Sequence, residues 1–408
     1  ETARFVMFKK PFEELINTKN LLAIENAVSI KRTESYRVYP IKQETLLEEG
    51  WEIPEEDEEI QEQTYSKGIK KGQSTASLYK EKFSSGKYEG NKWGGKYLRA
   101  PDIFFTILEK GKGKLVRLGD IAEVRRGFTT GANEFFYLTP LTSPLIKGGQ
   151  RGVLKVRNGA GWEGEIEEEF LKPVIKSPRE CKSIMIKPED LKYKVFMCHK
   201  DKKELKGTNA LQYIEWGEKQ GFHKRETVRN RNLWWSLGAH TIPAFAIIKG
   251  PWLRHFVPIN GAKAYCDQQM YEVILNENLE GKKMDLIVNT TLSALFFELE
   301  GRSNFGEGIL WLSVYEAANI LVLDSRLKYK LPEKVEQLTK RKIEDIFTEL
   351  GINPSLPIRE QKPNPLPDRK ALDDIVFDIL GLTEDERNEV YWAVCELVKN
   401  RLEKARSV

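Results

Sequence analysis

Over residues 48–92 the chain loses its hydrophobic periodicity. The stretch is polar and rich in charge, glycine and serine, and its first part, residues 48–62, holds nine acidic residues and no Lys or Arg. Such a composition buries too little apolar surface to offset the entropy of ordering it, so residues 48–92 read as an acidic, flexible linker. The linker separates residues 1–47 from a longer body. The first segment has strand patterns at 4–9 and 35–40 and a short helical one at 12–16. It is too short to close a core alone and is expected to rest on the body.

At about 150 residues per domain, 408 residues imply two or three domains. No run approaches the roughly 18–20 apolar residues of a membrane span, which excludes a transmembrane protein. The first residue is Glu1 and no signal-peptide pattern follows, so the chain reads as a piece of a longer protein. Cys181, Cys198, Cys266 and Cys395 lie far apart with no Cys-x-x-Cys, which argues against a disulfide framework or zinc finger. A reducing, cytoplasmic setting is expected. Net charge is +4, and leaving out the nine acids of 48–62 raises it to +13. A body that basic suits a polyanionic partner.

Residues 93–325 mix strand and helix patterns. Strands are expected at 134–138, 194–198, 244–249 and 264–275, and a long helix at 283–299, where Met284, Ile287, Thr291, Leu295 and Leu299 keep helical spacing. The tail, 326–408, is helical. One helix is expected over 332–351, then a Pro-rich connector over 352–369. The stripe Leu372, Ile375, Val376, Ile379, Leu380 marks a helix stopped at Gly381, and Thr383 with Glu386 has capping-box spacing for the next. The fold class is therefore α+β: a mixed-sheet domain with a helical C-terminal extension.

Catalytic signatures are sparse. The turn at Asn158-Gly-Ala-Gly lacks the helix that would turn its N–H groups on a phosphate, and Lys110-Gly-Lys-Gly-Lys lacks a P-loop ending. Asp190 with Glu204 and Lys206, and Asp267 with Glu280 and Lys282, have the spacing of a Mg-dependent nuclease. In a chain with 31% charged residues such spacings arise by chance. His199, His223, His240 and His255 are scattered, and Gly-x-Ser-x-Gly is absent.

What stands out is Arg, Asn, Gln and aromatic residues interleaved in Gly-rich loops, the residue types that read base edges and hold phosphates. Arg125, Arg126, Thr129, Thr130 and Asn133 form the first candidate group. Arg231 and Asn232 form a second, Arg254, His255, Gln268 and Gln269 a third, and Arg302 and Asn304 a fourth. Each loop alone also fits ordinary turn chemistry. Trp234 and Trp235 have the character of base-stacking wedges, with one of the pair expected in the core.

Residues 118–138, which contain Arg125-Arg-Gly-Phe-Thr-Thr-Gly-Ala-Asn133, resemble the opening of the target-recognition domain of adenine-N6 DNA methyltransferases from type II restriction–modification systems, those with a TaqI-like C-terminal specificity domain. Residues 170–180 and 289–308 resemble later segments of that domain, and residues 4–12 the last strand of the catalytic domain. The resemblance implies that residues 1–47 are a remnant of the catalytic domain, 93–325 the recognition domain and 326–408 an extension. Two departures qualify it. Residues 141–165 read as an inserted loop. The family's Asn-Pro-Pro-Tyr/Phe motif and Gly-rich cofactor turn are absent, since Asn353-Pro-Ser and Asn364-Pro-Leu do not match. The implied role is sequence-specific recognition of double-stranded DNA. Methylation and S-adenosylmethionine would then belong to a catalytic domain of the same parent chain, with no cofactor or metal here and no activity for this chain alone. The alternatives are a Mg-dependent nuclease, or a protein-interaction module using the acidic block and helical tail.

Overall fold

Two hydrophobic cores organise the body of the chain. The computed structural model describes residues 1–49, 51–52, 87–88, 95–141, 152–276, 281–303, 308–324 and 326–406. The fold is α+β, with mixed sheet. In chain order the strands are β1 (Thr2–Phe8), β2 (Lys31–Arg32), β3 (Tyr36–Lys42), β4 (Trp51–Glu52), β5 (Lys87–Tyr88), β6 (Leu115–Arg117), β7 (Ala122–Arg126), β8 (Tyr137–Pro140) and β9 (Val153–Asn158). They continue with β10 (Glu163–Glu167), β11 (Leu171–Ile175), β12 (Lys194–Phe196), β13 (Phe245–Ile248), β14 (Tyr265–Cys266), β15 (Met270–Leu275), β16 (Arg302–Ser303), β17 (Leu310–Trp311) and β18 (Leu321–Leu323).

The first core is aromatic. Six strands in the order β10-β9-β8-β12-β11-β14 cover it, antiparallel except for β11 and β14. Phe135, Phe196, Tyr213, Phe222 and Trp234 interlock beneath. The second core lies under the antiparallel sheet β13-β15-β7. Helices Asp102–Lys110, Thr291–Glu300, Pro367–Leu380 and Glu384–Arg406 close it, so the C-terminal helices share one core with the preceding domain. β14 belongs to the first sheet and β15, three residues on, to the second. The turn between them therefore sits at the seam of the two cores.

The N-terminal segment leans on the body, as its size requires. β1, β3 and β2 form one sheet. Phe5 and Tyr39 stack on Tyr97, and the buried Arg37 lies 4.4 Å over the Phe105 ring and pairs with Asp102 at 2.7 Å. Of the acidic stretch, Glu49 accepts from the Tyr97 hydroxyl at 2.8 Å and lies 3.6 Å from Lys96, so it is bound rather than solvated. Most of residues 48–92 lies outside the described residues.

Several expected elements are cut shorter. The helix expected over 283–299 is two, Gly281–Ile287 and Thr291–Glu300. Between them the Asn289 side chain turns away to bond both Val257 N (2.7 Å) and Val257 O (3.0 Å), and Thr290 caps the second helix at Ser293 N. The helix over 332–351 is also two, Lys334–Lys340 and Ile346–Leu350, because Asp345 caps the amides of Phe347 and Thr348. The strand over 134–138 begins as a helical turn, Asn133–Phe136, before β8. From Gly152 the segment expected as an inserted loop holds a β-hairpin, β9–β10, at the edge of the six-stranded sheet. Helix Pro367–Leu380 ends at Gly381 as expected, and the Thr383–Glu386 capping box forms, with bonds of 2.7 and 3.3 Å. No described helix is long and apolar enough to cross a membrane.

Candidate nucleic-acid interface

At the end of β7 the chain crosses the seam between the cores. Gly127 N donates to Met270 O at 3.0 Å, Phe128 N to Cys266 O at 3.0 Å, and Gln268 N to Phe128 O at 3.1 Å. These bonds zip the 127–133 loop onto the 267–269 turn. A Cβ at Gly127 would come within 3.0 Å of the Asp267 and Cys266 carbonyl oxygens, so the approach requires glycine. The turn is braced from below. Asp267 accepts from the Tyr137 hydroxyl and from Gln269 N at 3.0 Å. Burial pushes the Asp267 carboxyl above its ordinary value, against those bonds. The Thr129 hydroxyl donates to Gln268 Oε1 at 3.1 Å.

A third segment joins from the first core. The Arg231 guanidinium donates to Thr129 O at 2.9 Å and Thr130 O at 3.2 Å. Gly131 has φ +67°, and a Cβ there would meet Thr227 and Val228 of the helical turn Glu226–Arg229. Arg225 pairs with Glu134 at 2.8 Å. Loops 127–133, 225–232 and 267–269, far apart in sequence, thus form one surface. Asn133, Asn232 and Gln269 are exposed on it; Arg126, Thr129, Arg231 and Gln268 are half-buried. Thr130 is buried, its hydroxyl bonded to the Asn133 side chain.

Other candidates lie elsewhere or are occupied. Arg125 Nε donates to the fully buried Glu272 at 2.8 Å across the β7–β15 register. Burial raises Glu272 while Arg125 opposes the shift. Arg254 bonds Cys181 O at 2.8 Å and covers the Phe256 ring. His255 is a correction: it is buried, with Nε2 2.7 Å from Glu298, and presents no surface to a ligand. Arg302 pairs with Glu316 at 3.0 Å. Asn304 lies outside the described residues. Trp234 and Trp235 are both buried, donating to Glu218 and to Lys200 O, so neither is a surface wedge.

Sequence reasoning missed Trp252, Trp311 and Lys249. Lys249 directly follows Ile248, the strand partner of Met270, at the end of the β13–β15 pairing. The signal was alternation: Leu310 and Leu312 are buried while Trp311 between them is exposed.

The described acids of the nuclease alternatives are engaged locally. Asp190 accepts from Lys187 N and Glu204 from Asp201 N, each as a local cap, and Glu280 lies outside the described residues. Among the described residues no cluster of three or more His, Cys, Asp or Glu could hold a metal. In the Asn158 turn, Asn158 Oδ1 accepts from Ala160 N and Trp162 N, both at 2.9 Å, so the amides a phosphate would need are engaged.

A family model for the C-terminal domain of the type II methyltransferase M.Eco57I matches residues 166–351. The match includes the 225–232 and 267–269 segments and begins after the 127–133 loop. No curated protein sequence matches. Among solved structures the chain is similar to the type IIG restriction endonuclease BpuSI, at TM-score 0.47 and 11% identity, over 99% of this chain and 41% of that one. The chain thus spans less than half the length of that enzyme. Residues 166–351 are thus similar to the C-terminal domain of that type II methyltransferase.

Proposed function

We propose that the chain is the double-stranded-DNA specificity region of a restriction–modification adenine-N6 methyltransferase, with a TaqI-like recognition domain. The observation that carries this reading is the convergence of loops 127–133, 225–232 and 267–269, which puts Asn133, Asn232 and Gln269 on one exposed surface. Asn and Gln pair with both hydrogen-bonding atoms of an adenine edge, and Arg with those of guanine. Arg126, Arg231 and the Thr129 hydroxyl lie among them and suit base edges or phosphate.

The division of labour follows from the chemistry. Methylating adenine's exocyclic amine in a duplex requires turning the base out into a pocket. That pocket and S-adenosylmethionine would belong to a catalytic domain of the parent chain, and this chain alone would bind DNA without modifying it. The N-terminal unit suits such a partner: Phe12, Ile16, Leu22 and Val28 are exposed, Val28 at 90%.

Selection from a pool of random duplex DNA at two salt concentrations tests the reading. Salt-sensitive binding with one enriched short motif is expected. Gln269→Ala or Asn232→Ala should then cost about 1–3 kcal/mol and relax one position of that motif. No binding at low salt overturns the proposal.

A further inference from the structure

Residues 249–251 run antiparallel to 310–312, through Leu310 N to Pro251 O at 3.0 Å and Leu312 N to Lys249 O at 3.2 Å. Pro251, Leu310 and Leu312 face the core. Trp252 and Trp311 face solvent, with 53% and 43% of their surface exposed. Gly250, opposite Trp311 in the ladder, has the Trp311 ring 3.5 Å from where a Cβ would stand. Lys249 Nζ lies 5.3 Å from the Trp311 ring centroid, and Arg302 is the cross-strand partner of Trp311.

The backbone under these rings is fixed from inside. Arg401, buried in the C-terminal helix, donates to Trp252 O at 2.8 Å and to Gly308 O. Glu298 holds the same guanidinium at 2.7 and 3.0 Å and is shared with His255. Burial works against the Glu298 charge, yet His255 and Arg401 keep its carboxyl below the ordinary value. Burying such a network costs desolvation, and here it rigidifies the chain beneath two exposed indoles. Rigid aromatic faces beside cations suit base stacking, because every nucleobase has a π-face and a neighbouring phosphate.

We propose that Trp252 and Trp311 form a stacking platform for an unpaired DNA base, with Lys249 on its phosphate. The proposal rests on the DNA reading above: Lys249 directly follows Ile248, whose strand partner Met270 directly follows Gln269, so the platform borders the 267–269 turn. A bulged or locally opened strand would reach it while the flanking duplex lies on the loops.

The test uses the full chain and three labelled DNAs, a perfect duplex, the same duplex with one bulged base, and a thymine single strand, measured by fluorescence anisotropy. The bulged duplex should bind more tightly than the perfect one. Trp311→Ala and Trp252→Ala should each weaken bulged and single-stranded DNA by about tenfold or more, with little change on the perfect duplex. Both side chains are exposed, so the melting curves should match the unsubstituted chain. Variants that bind all three DNAs as tightly as the unsubstituted chain does overturn the platform and leave the duplex reading standing. No binding of any of the three by the unsubstituted chain overturns both.

Discussion

Gly127→Ala tests the seam on which the interface depends. The new methyl would come within 3.0 Å of the carbonyl oxygens of Asp267 and Cys266, and it would be 2.7 Å from the Asp267 carbonyl carbon. These are backbone atoms on the partner strand, so no side-chain rotation relieves the clash. The loop and turn must separate, which strains the three bonds Gly127 N–Met270 O, Phe128 N–Cys266 O and Gln268 N–Phe128 O. Overpacking costs about 1–3 kcal/mol and each lost hydrogen bond about 1 kcal/mol net. A total near 3 kcal/mol follows, which lowers the melting temperature by roughly 6–12 °C for a unit of this size. Calorimetry reads that shift, with Gly95→Ala as control, since a Cβ there meets nothing within 4 Å. Anisotropy on the selected duplex should show at least a tenfold loss, because Thr129, Gln268 and Gln269 no longer share one surface. An unchanged melt refutes the packing argument. A lowered melt with intact affinity refutes the role of this seam in DNA binding.

Arg231→Met removes both bonds to the 129 and 130 carbonyls. It should speed hydrogen exchange over 129–131 by about tenfold, the equivalent of ~1.4 kcal/mol; unchanged exchange would contradict the clamp. Arg401→Met leaves the Glu298 carboxylate buried with His255 as its remaining side-chain partner, and should destabilise the chain by about 3–5 kcal/mol in denaturant titration. Asp373 is fully buried, and burial pushes its carboxyl up to about 6 despite the Arg369 charge and the bonds from Thr291. Its folded form thus holds a proton more tightly than the unfolded chain, whose value is about 3.9. The stability it contributes is present below about pH 4 and lost as the pH rises through about 6. Asp373→Asn should therefore gain on the unsubstituted chain between pH 4 and 7, by on the order of 2–3 kcal/mol; parallel stability curves would contradict it.

The sequence was most legible where a local signal decides the outcome. Gly381 stops a helix and Thr383 with Glu386 starts the next, because both signals act within one turn. It was least legible where a distant partner decides. The apolar spacing over 283–299 is continuous, but Asn289 is taken by Val257, thirty-two residues away, and the helix breaks. The 264–275 run reads as one strand, yet Asp267 is taken by Tyr137 and the run turns. The candidate loops were found for the same reason the caps were: glycine with Arg, Asn and Thr is a local pattern. Which loops meet was not readable, since Arg231 reaches Thr129 across 102 positions. Nor was indole exposure: Trp234 and Trp235 are buried by the first core, while Trp252 and Trp311 face solvent.

Charge shows the same limit most sharply. The basic excess outside the acidic stretch counts every cation alike, but the fold commits several to buried acids: Arg341 and Arg369 to Glu349, Arg401 to Glu298, Arg302 to Glu316 and Arg125 to Glu272. A cation bound to a buried carboxylate cannot exchange that partner for a phosphate without leaving the carboxylate uncompensated. Only exposed cations release counterions from DNA, each contributing about 0.9 to the slope of log affinity against log salt. Arg125 and Arg229 separate the two classes. Arg229 lies on the 225–232 loop with 58% of its side chain exposed, and its 3.9 Å contact with Glu226 is a weak surface pair. Arg229→Ala should flatten the salt slope by about 0.9 and weaken all sequences alike. Arg125→Ala should leave the slope unchanged and act through stability, since it strips Glu272 of its guanidinium. If Arg125→Ala flattens the slope as much as Arg229→Ala does, Arg125 leaves Glu272 for phosphate in the complex, and the division between structural and DNA-facing cations fails at its central pair.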